Sequence, residues 1–398
     1  MQNSPDSVPP GTTERVAPAA RAIALPPAAR IAISAVFLAC GIYMGLWATQ
    51  IARIKLVFGL TDPGLATVVL AFACGSIPMM PLAGSLMVRW GGVRSIRATC
   101  IASAVGLVLL GMAPSYPALL GASFLAGGAV GALDVVMNGQ ANEIAAVWRR
   151  PILSSIHGWF SLGGLLGSAA GGALTGAGLP VPMVLGAGGA NILLAGLAAT
   201  PFLNVPGTTP THAGPAFALP TRAVLGLGVM CLLSLMIEGG IGDWTTVYLH
   251  EVAGASLDWA AAGIAGFSTA MAFGRFTGDW VVRQLGSRPV MIGSGLLTAA
   301  GIGLAVALPA PGPASAGFLL AGLGMANIVP LLFAASARVP GVPPSAGLAM
   351  VATMGYGAFL MGPPLIGFLA GAVSLRIALL VLVACALVIA VGGLWRRA

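Results

Sequence analysis

Residues 84–94, GSLMVRWGGVR, and residues 278–288, GDWVVRQLGSR, are two copies of one punctuation mark. Each is a short basic stretch containing glycine, and each closes an apolar run, 62–87 before the first and 258–282 before the second. A basic turn recurring at the same phase of two apolar series is what two parallel repeats of a membrane bundle produce. Working outward from these turns, runs near the roughly 20 apolar residues that carry a helix across the bilayer fall at 31–52, 62–87, 95–113, 117–142, 152–176 and 183–203. They resume at 222–249, 258–282, 289–309, 314–337, 345–370 and 375–395. Between the two sets lies 204–221, NVPGTTPTHAGPAFALPT, whose proline, threonine and glycine content marks a linker.

The expected fold is therefore an all-α integral membrane protein with 12 transmembrane helices in two pseudo-symmetric six-helix bundles. The expected organisation is a disordered tail at 1–30, a first bundle at 31–203, a linker at 204–221 and a second bundle at 222–395. The tail is rich in proline and alanine, holds no apolar run and lacks the form of a signal peptide. The first apolar span is then expected to serve as an uncleaved membrane entry signal.

Composition agrees. Of 398 residues, 58% are hydrophobic and 7% charged, against about 25% charged in a soluble domain. Mean hydropathy is +0.98. The net charge of +8 is not gathered into a basic patch with interleaved aromatics, so nucleic acid is not an expected partner. The basic residues are instead distributed by side. With the N-terminus inside, Arg15, Arg21, Arg30, Arg89, Arg94, Arg97, Arg149, Arg150, Arg222, Arg283, Arg288, Arg338, Arg396 and Arg397 fall on the inner face, and only Arg53, Lys55 and Arg376 on the outer. That asymmetry places both termini in the cytoplasm. The five cysteines all fall in apolar segments and read as small buried hydrophobes. No metal-ligand spacing, Walker A segment, selectivity filter or nucleophile-base arrangement occurs, so no metal, cofactor or enzyme activity is expected.

Acidic side chains inside such spans ask for a function, because a carboxylate in the bilayer costs several kcal/mol unless paired, wetted or protonated. Asp134 and Asn138 are four apart on the fourth span, with Asn142 a further turn on, which makes one polar stripe that should face a central cavity. Desolvation lets such a carboxyl hold a proton near neutral pH, so Asp134 is the first proton-coupling candidate and Glu238 on the seventh span the second. Glycines 239, 240 and 242 suggest that the seventh helix is interrupted there, which would let Glu238 and Asp243 face one cavity. His157 opens the fifth span and titrates near neutral pH. Arg275 and Asp279, four apart near the inner end of the eighth span, are expected to form a neutralised gate pair. Tyr43, Trp47, Gln50, Asn138, His157, Trp244, Asn327 and Tyr356 are the candidate solute-binding residues. Aromatic faces with amides suit a neutral polyol, although tryptophan and tyrosine also populate membrane interfaces.

At the repeated turns the chain resembles the major facilitator superfamily of secondary transporters over residues 31–395. The family's turn carries an acid at the position of Val88, so Arg89 and Arg94 are retained as gating residues while the acid is absent. Two further segments, Leu133–Glu143 followed by Ser154–Gly163, and Glu238–Tyr248, resemble the fucose-permease-like proton symporters. The resemblance implies alternating access and proton-coupled uptake of a sugar or other small polar solute. Proton-antiport efflux of a drug or metabolite is a transport alternative. A non-transporting membrane sensor built on the same fold is a rival of another class. Expected partners are a small-molecule solute, protons and the lipid bilayer. The expected form is a monomer, in a bacterial inner membrane.

Overall fold

The computed structural model describes residues 27–148, 152–203, 221–336, 338–342 and 344–395, without some side chains inside helices, those of Asp279 and Tyr356 among them. The first half contains α1 (Pro27–Val57), α2 (Asp62–Trp90), α3 (Gly92–Gly111), α4 (Tyr116–Trp148), α5 (Leu153–Gly176) and α6 (Val181–Ala199). The second contains α7 (Arg222–Val247), α8 (Leu257–Leu285), α9 (Ser287–Ala307), α10 (Pro311–Met325), α11 (Ile328–Ser336), α12 (Pro344–Ala372), α13 (Leu375–Ala378) and α14 (Leu380–Trp395). No strand occurs among the described residues. Because α10 with α11, and α13 with α14, each form one broken span, the helices make twelve crossings.

Nine described stretches meet the length and hydropathy of a membrane span. The other three crossings, α5, α8 and α12, are 24, 29 and 29 residues long, which also suffices. The break between α10 and α11 has a local cause. Pro330 has no N–H for the carbonyl of Ala326 four residues earlier, and its ring crowds that carbonyl. The helix stops at Met325 and resumes at Ile328, with the Leu331 amide donating to the Asn327 carbonyl at 3.1 Å.

The two halves repeat one packing scheme. In the first, α1 packs on α5 and α6, α2 on α4, and α3 on α4 and α6. In the second, α7 packs on α12 and α14, α8 on α10, and α9 on α10 and α14, which is the same set of neighbours shifted by six crossings. The basic turns repeat in backbone detail as well. Gly91 has φ 79° and ψ 157°, and Gly286 has φ 83° and ψ 159°. Their amides donate back to the carbonyls of Met87 and Val282, at 2.9 and 2.8 Å. Only glycine holds that conformation without a steric penalty, so these two residues let each helix pair fold back within one residue.

The halves meet along two related seams, α5 on α8 and α2 on α12, with α1 also touching α7 and α8. The bundle end where α1 stops and α2 starts is called outer here, after the arginine asymmetry. At that end Gly371 of α12 packs on Pro63 of α2, and Gly172 of α5 packs on Ala261 of α8. Of the cysteines, Cys74 is exposed and the other four are buried, all of them free thiols.

The expected interruption of α7 is not found. The helix runs unbroken from Arg222 to Val247 and only then widens into a π turn, Tyr248–Val252. A glycine removes no N–H, and in lipid every broken backbone hydrogen bond lacks a water to replace it. Glycines alone therefore do not open the helix. Glu238 and Asp243 consequently project about 140° apart and do not share one face.

Candidate functional site

The polar stripe on α4 forms as the spacing predicts. The Asn138 amide donates to the Asp134 carboxylate at 3.1 Å and to its main-chain carbonyl at 2.8 Å, and Asn142 donates to the Asn138 carbonyl at 3.0 Å. Asp134 and Asn138 are both half-buried. Gln140, on the other side of α4, is 2% exposed and packs against Gly92 of the basic turn, donating to the Leu203 carbonyl at 3.4 Å.

Arg275 has partners that its spacing does not suggest. Its guanidinium pairs with Glu238 on α7, at 3.4 Å, and donates to the Ser161 hydroxyl on α5 at 2.9 Å. The side chains of Arg275 and Glu238 are 27% and 29% exposed. The side chain of Asp279, the partner expected for Arg275, lies outside the described residues; among the described residues Arg275 makes contacts between helices. One arginine on α8 therefore ties the carboxylate of α7 to the opposite half of the molecule. Asp243 lies on the same helix, half-buried.

The other predicted site residues separate into two groups. Asn327, in the break between α10 and α11, donates to the Gly274 carbonyl at 3.2 Å and lines a cavity of about 260 Å³ with Gly278, Arg283 and Pro330. His157 is exposed, with its ring edge-on to Phe37 at 5.2 Å between centroids. Arg89 and Arg94 are exposed beside the Gly91 turn. By contrast, Tyr43 is fully buried and its hydroxyl has no hydrogen-bond partner among the described residues. Trp47 is 3% exposed and stacks on Phe72 at 5.8 Å. Gln50 is fully buried, donating to Thr49 and Thr175 and accepting from Arg53. Trp244 is fully buried in the seam between the halves, where a Cβ added at Gly367 of α12 would collide with its ring. In this conformation these four bind helices to one another rather than lining open space. The side chain of Tyr356 lies outside the described residues.

A second charged cluster was not legible in the spacing. Lys55, at the end of α1, pairs with Asp62 at 2.6 Å and with Glu251 in the π turn after α7. Its side chain is 8% exposed, and those of Asp62 and Glu251 are 20% and 31%. The sequence did carry a signal for this. Lys55 and Glu251 close the first crossing of each half, so opposite charges occupy corresponding places in the two repeats. Nearby, the Thr246 hydroxyl of α7 donates to the Ala48 carbonyl of α1 at 3.2 Å, which joins the halves a second time.

Twelve crossings in two repeated bundles, with carboxylates and an arginine held between them, define the class of secondary transporters. The chain belongs to the Major Facilitator Superfamily, whose family pattern matches residues 31–344. An uncharacterised MFS-type transporter of Yersinia pestis is 34% identical over 345 residues, covering 86% of this chain and 89% of that protein. Among solved structures, the nucleoside transporter NupG superposes with a TM-score of 0.73 at 15% identity, covering 92% of this chain and 98% of that one. A point variant of the E. coli fucose:proton symporter FucP gives a TM-score of 0.60 at 15% identity, over 92% and 98% of the two chains. These structural likenesses establish the fold. The protein is accordingly a multi-pass membrane transporter of that family.

Proposed function

We propose that the chain is a proton-coupled secondary transporter that takes up a sugar or other small polar solute by alternating access, with both termini in the cytoplasm of a bacterial inner membrane. The observation that carries this reading is the Arg275 bridge, from Glu238 on one side to Ser161 of the opposite half on the other. A proton on Glu238 cancels the charge that holds Arg275 to α7 and weakens that contact. Arg275 is then free to shift while α8 moves against α5. Protonation at this point is thereby coupled to movement between the halves. Asp134 is the second proton site, because its carboxylate sits on the half-buried stripe with Asn138 to orient it. Among the candidates whose side chains are described, Asn138, Asn327 and His157 are the polar groups left to meet the solute.

Two fold relatives support the solute class: one is named a fucose:proton symporter and the other a nucleoside transporter, both carrying polyhydroxylated solutes. The test uses purified protein in liposomes loaded with a pH dye, with sugars, polyols and nucleosides offered outside one at a time. Lumenal acidification with one of them, lost in Glu238→Gln and in Asp134→Asn, is the expected result. Solute flux without proton movement would remove the coupling. Absence of flux for the whole panel would turn the reading toward efflux of an unlike solute.

A further inference from the structure

We propose that Lys55, Asp62 and Glu251 form the latch that closes the outer end of the transporter, and that the two carboxylates have opposite tasks. The assignment rests on which half each residue belongs to. Lys55 and Asp62 lie on either side of the turn between α1 and α2, within the first half. Glu251 belongs to the second half. Any motion that separates the halves at this end therefore breaks Lys55–Glu251 and leaves Lys55–Asp62 intact.

The burial of Lys55 gives that asymmetry its meaning. A lysine whose side chain is only 8% exposed is strongly destabilising if it loses all its partners, because removing one member of a buried pair leaves an uncompensated charge. With Glu251 as its sole partner, opening would strand the lysine. Asp62 prevents this by keeping a carboxylate 2.6 Å away in whichever state the halves adopt. It also sits in the first turn of α2, where the helix dipole favours a negative charge, so it is itself held in place. Glu251 is the more exposed of the two acids at 31%, and water can solvate it once the contact parts. Lys55 and Glu251 are thus the closing contact, and Asp62 is the keeper that lets it reopen.

Around this cluster the seam is otherwise apolar or backbone-mediated. The ring of Trp244 and Ala66 meet at Gly367, Pro63 meets Gly371, and Thr246 bonds the Ala48 carbonyl. No other ion pair between the halves occurs at this end among the described residues. Among the described residues the latch is thus the ion pair that spans the halves at this end. The inference rests on the alternating-access reading but not on proton coupling or on any particular solute.

The two acids make opposite predictions, and the test reads position rather than flux. Spin labels are attached at Val57→Cys, at the end of α1, and Val373→Cys, beyond α12, in protein whose five native cysteines have been replaced. Both native side chains are exposed, at 71% and 54%. Distances are measured by pulsed electron resonance in lipid nanodiscs. Glu251→Gln is expected to move the population toward the long distance of an outer-open form. Asp62→Asn is expected to keep or enrich the short distance, since opening would then leave Lys55 alone. Lys55→Met should resemble Glu251→Gln. Lys55→Met is the variant most exposed to misfolding, so the pair Glu251→Gln and Asp62→Asn decides. Equal opening in both would reduce the cluster to a common ionic patch and overturn the division of roles. No change in Glu251→Gln would overturn the latch. Failure of solute uptake in the liposome assay leaves these distances unaffected, so the two readings fall separately.

Discussion

Gly163→Leu is expected to force α1 away from α5 and to remove most of the folded protein. At Gly163 an added Cβ would lie 2.9 Å from the Cα of Gly41 and closer still to the Leu38 carbonyl oxygen. Gly41 faces back in the same way, 2.9 Å from the Gly163 Cα and in closer collision with the Phe160 carbonyl. Small residues that bring backbones together are the main driving element of helix association in lipid, where the hydrophobic effect between helices is absent. Overpacking costs about 1–3 kcal/mol when side chains can adjust, and here the obstructing atoms are backbone, so the loss should reach at least about 3 kcal/mol. The bonds strung along the same seam would be lost together: Arg30 to Ser155 at 3.2 Å, Gln50 to Thr175 at 3.2 Å, and Arg53 to the Leu179 carbonyl at 2.8 Å. Thermal denaturation in detergent should show graded destabilisation from Gly163→Ala to Gly163→Leu. Gly186→Leu, where an added Cβ meets nothing within 4 Å, should melt like the parent. A Gly163→Leu protein that melts with the parent would mean that α1 and α5 do not approach this closely.

Arg275→Met is expected to abolish transport and to destabilise the fold, and Glu238→Gln in the same chain is expected to restore the stability alone. Removing the arginine leaves Glu238 as an unpaired carboxylate within α7. Breaking a fully buried pair costs about 3–5 kcal/mol. Here the side chains are 27% and 29% exposed, and solvent screening lowers the expected loss to about 1–2 kcal/mol. The double variant has no stranded charge, so its melting should return toward the parent, while flux stays absent because the bridge from α7 to Ser161 is gone. A double-mutant cycle of denaturation, run beside solute uptake, separates the two effects. Equal melting of the single and double variants would show that Arg275 and Glu238 do not interact energetically. Normal flux in the double variant would exclude the bridge from the transport cycle.

The extent to which the site was legible follows from how local each feature is. The Asp134–Asn138–Asn142 stripe needs only the pitch of one helix, and it forms on α4 as its four-residue spacing predicts. The pairing of Arg275 looked equally local, with Asp279 one turn away, yet its guanidinium reaches Glu238, 37 residues earlier in the chain. Lys55 reads in the sequence as one of few outer cations. Its second acid, Glu251, lies 196 residues away, and nothing in either neighbourhood points to the other except their matching places in the two repeats. Gln50, Trp47 and Trp244 have the chemistry of solute-binding residues. Their burial depends on Thr175, Phe72 and Gly367, which belong to other helices.

By itself, the sequence determined the membrane class, the twelve crossings and the glycine turns at Gly91 and Gly286; the linker expected at 204–221 lies almost wholly outside the described residues. The sequence could do so because the bilayer tests each segment separately. A crossing needs its own length of apolar residues and must satisfy its own backbone hydrogen bonds. For the same reason the glycines of α7 left its helix whole. Only the tertiary structure decided which charges are partners, which aromatics are sealed into the seams and which polar groups still face open space. Those outcomes depend on the few ångströms between helices distant in sequence, set by contacts such as Gly41 on Gly163, and the free energy of a charge in the membrane is decided by what lies within that distance.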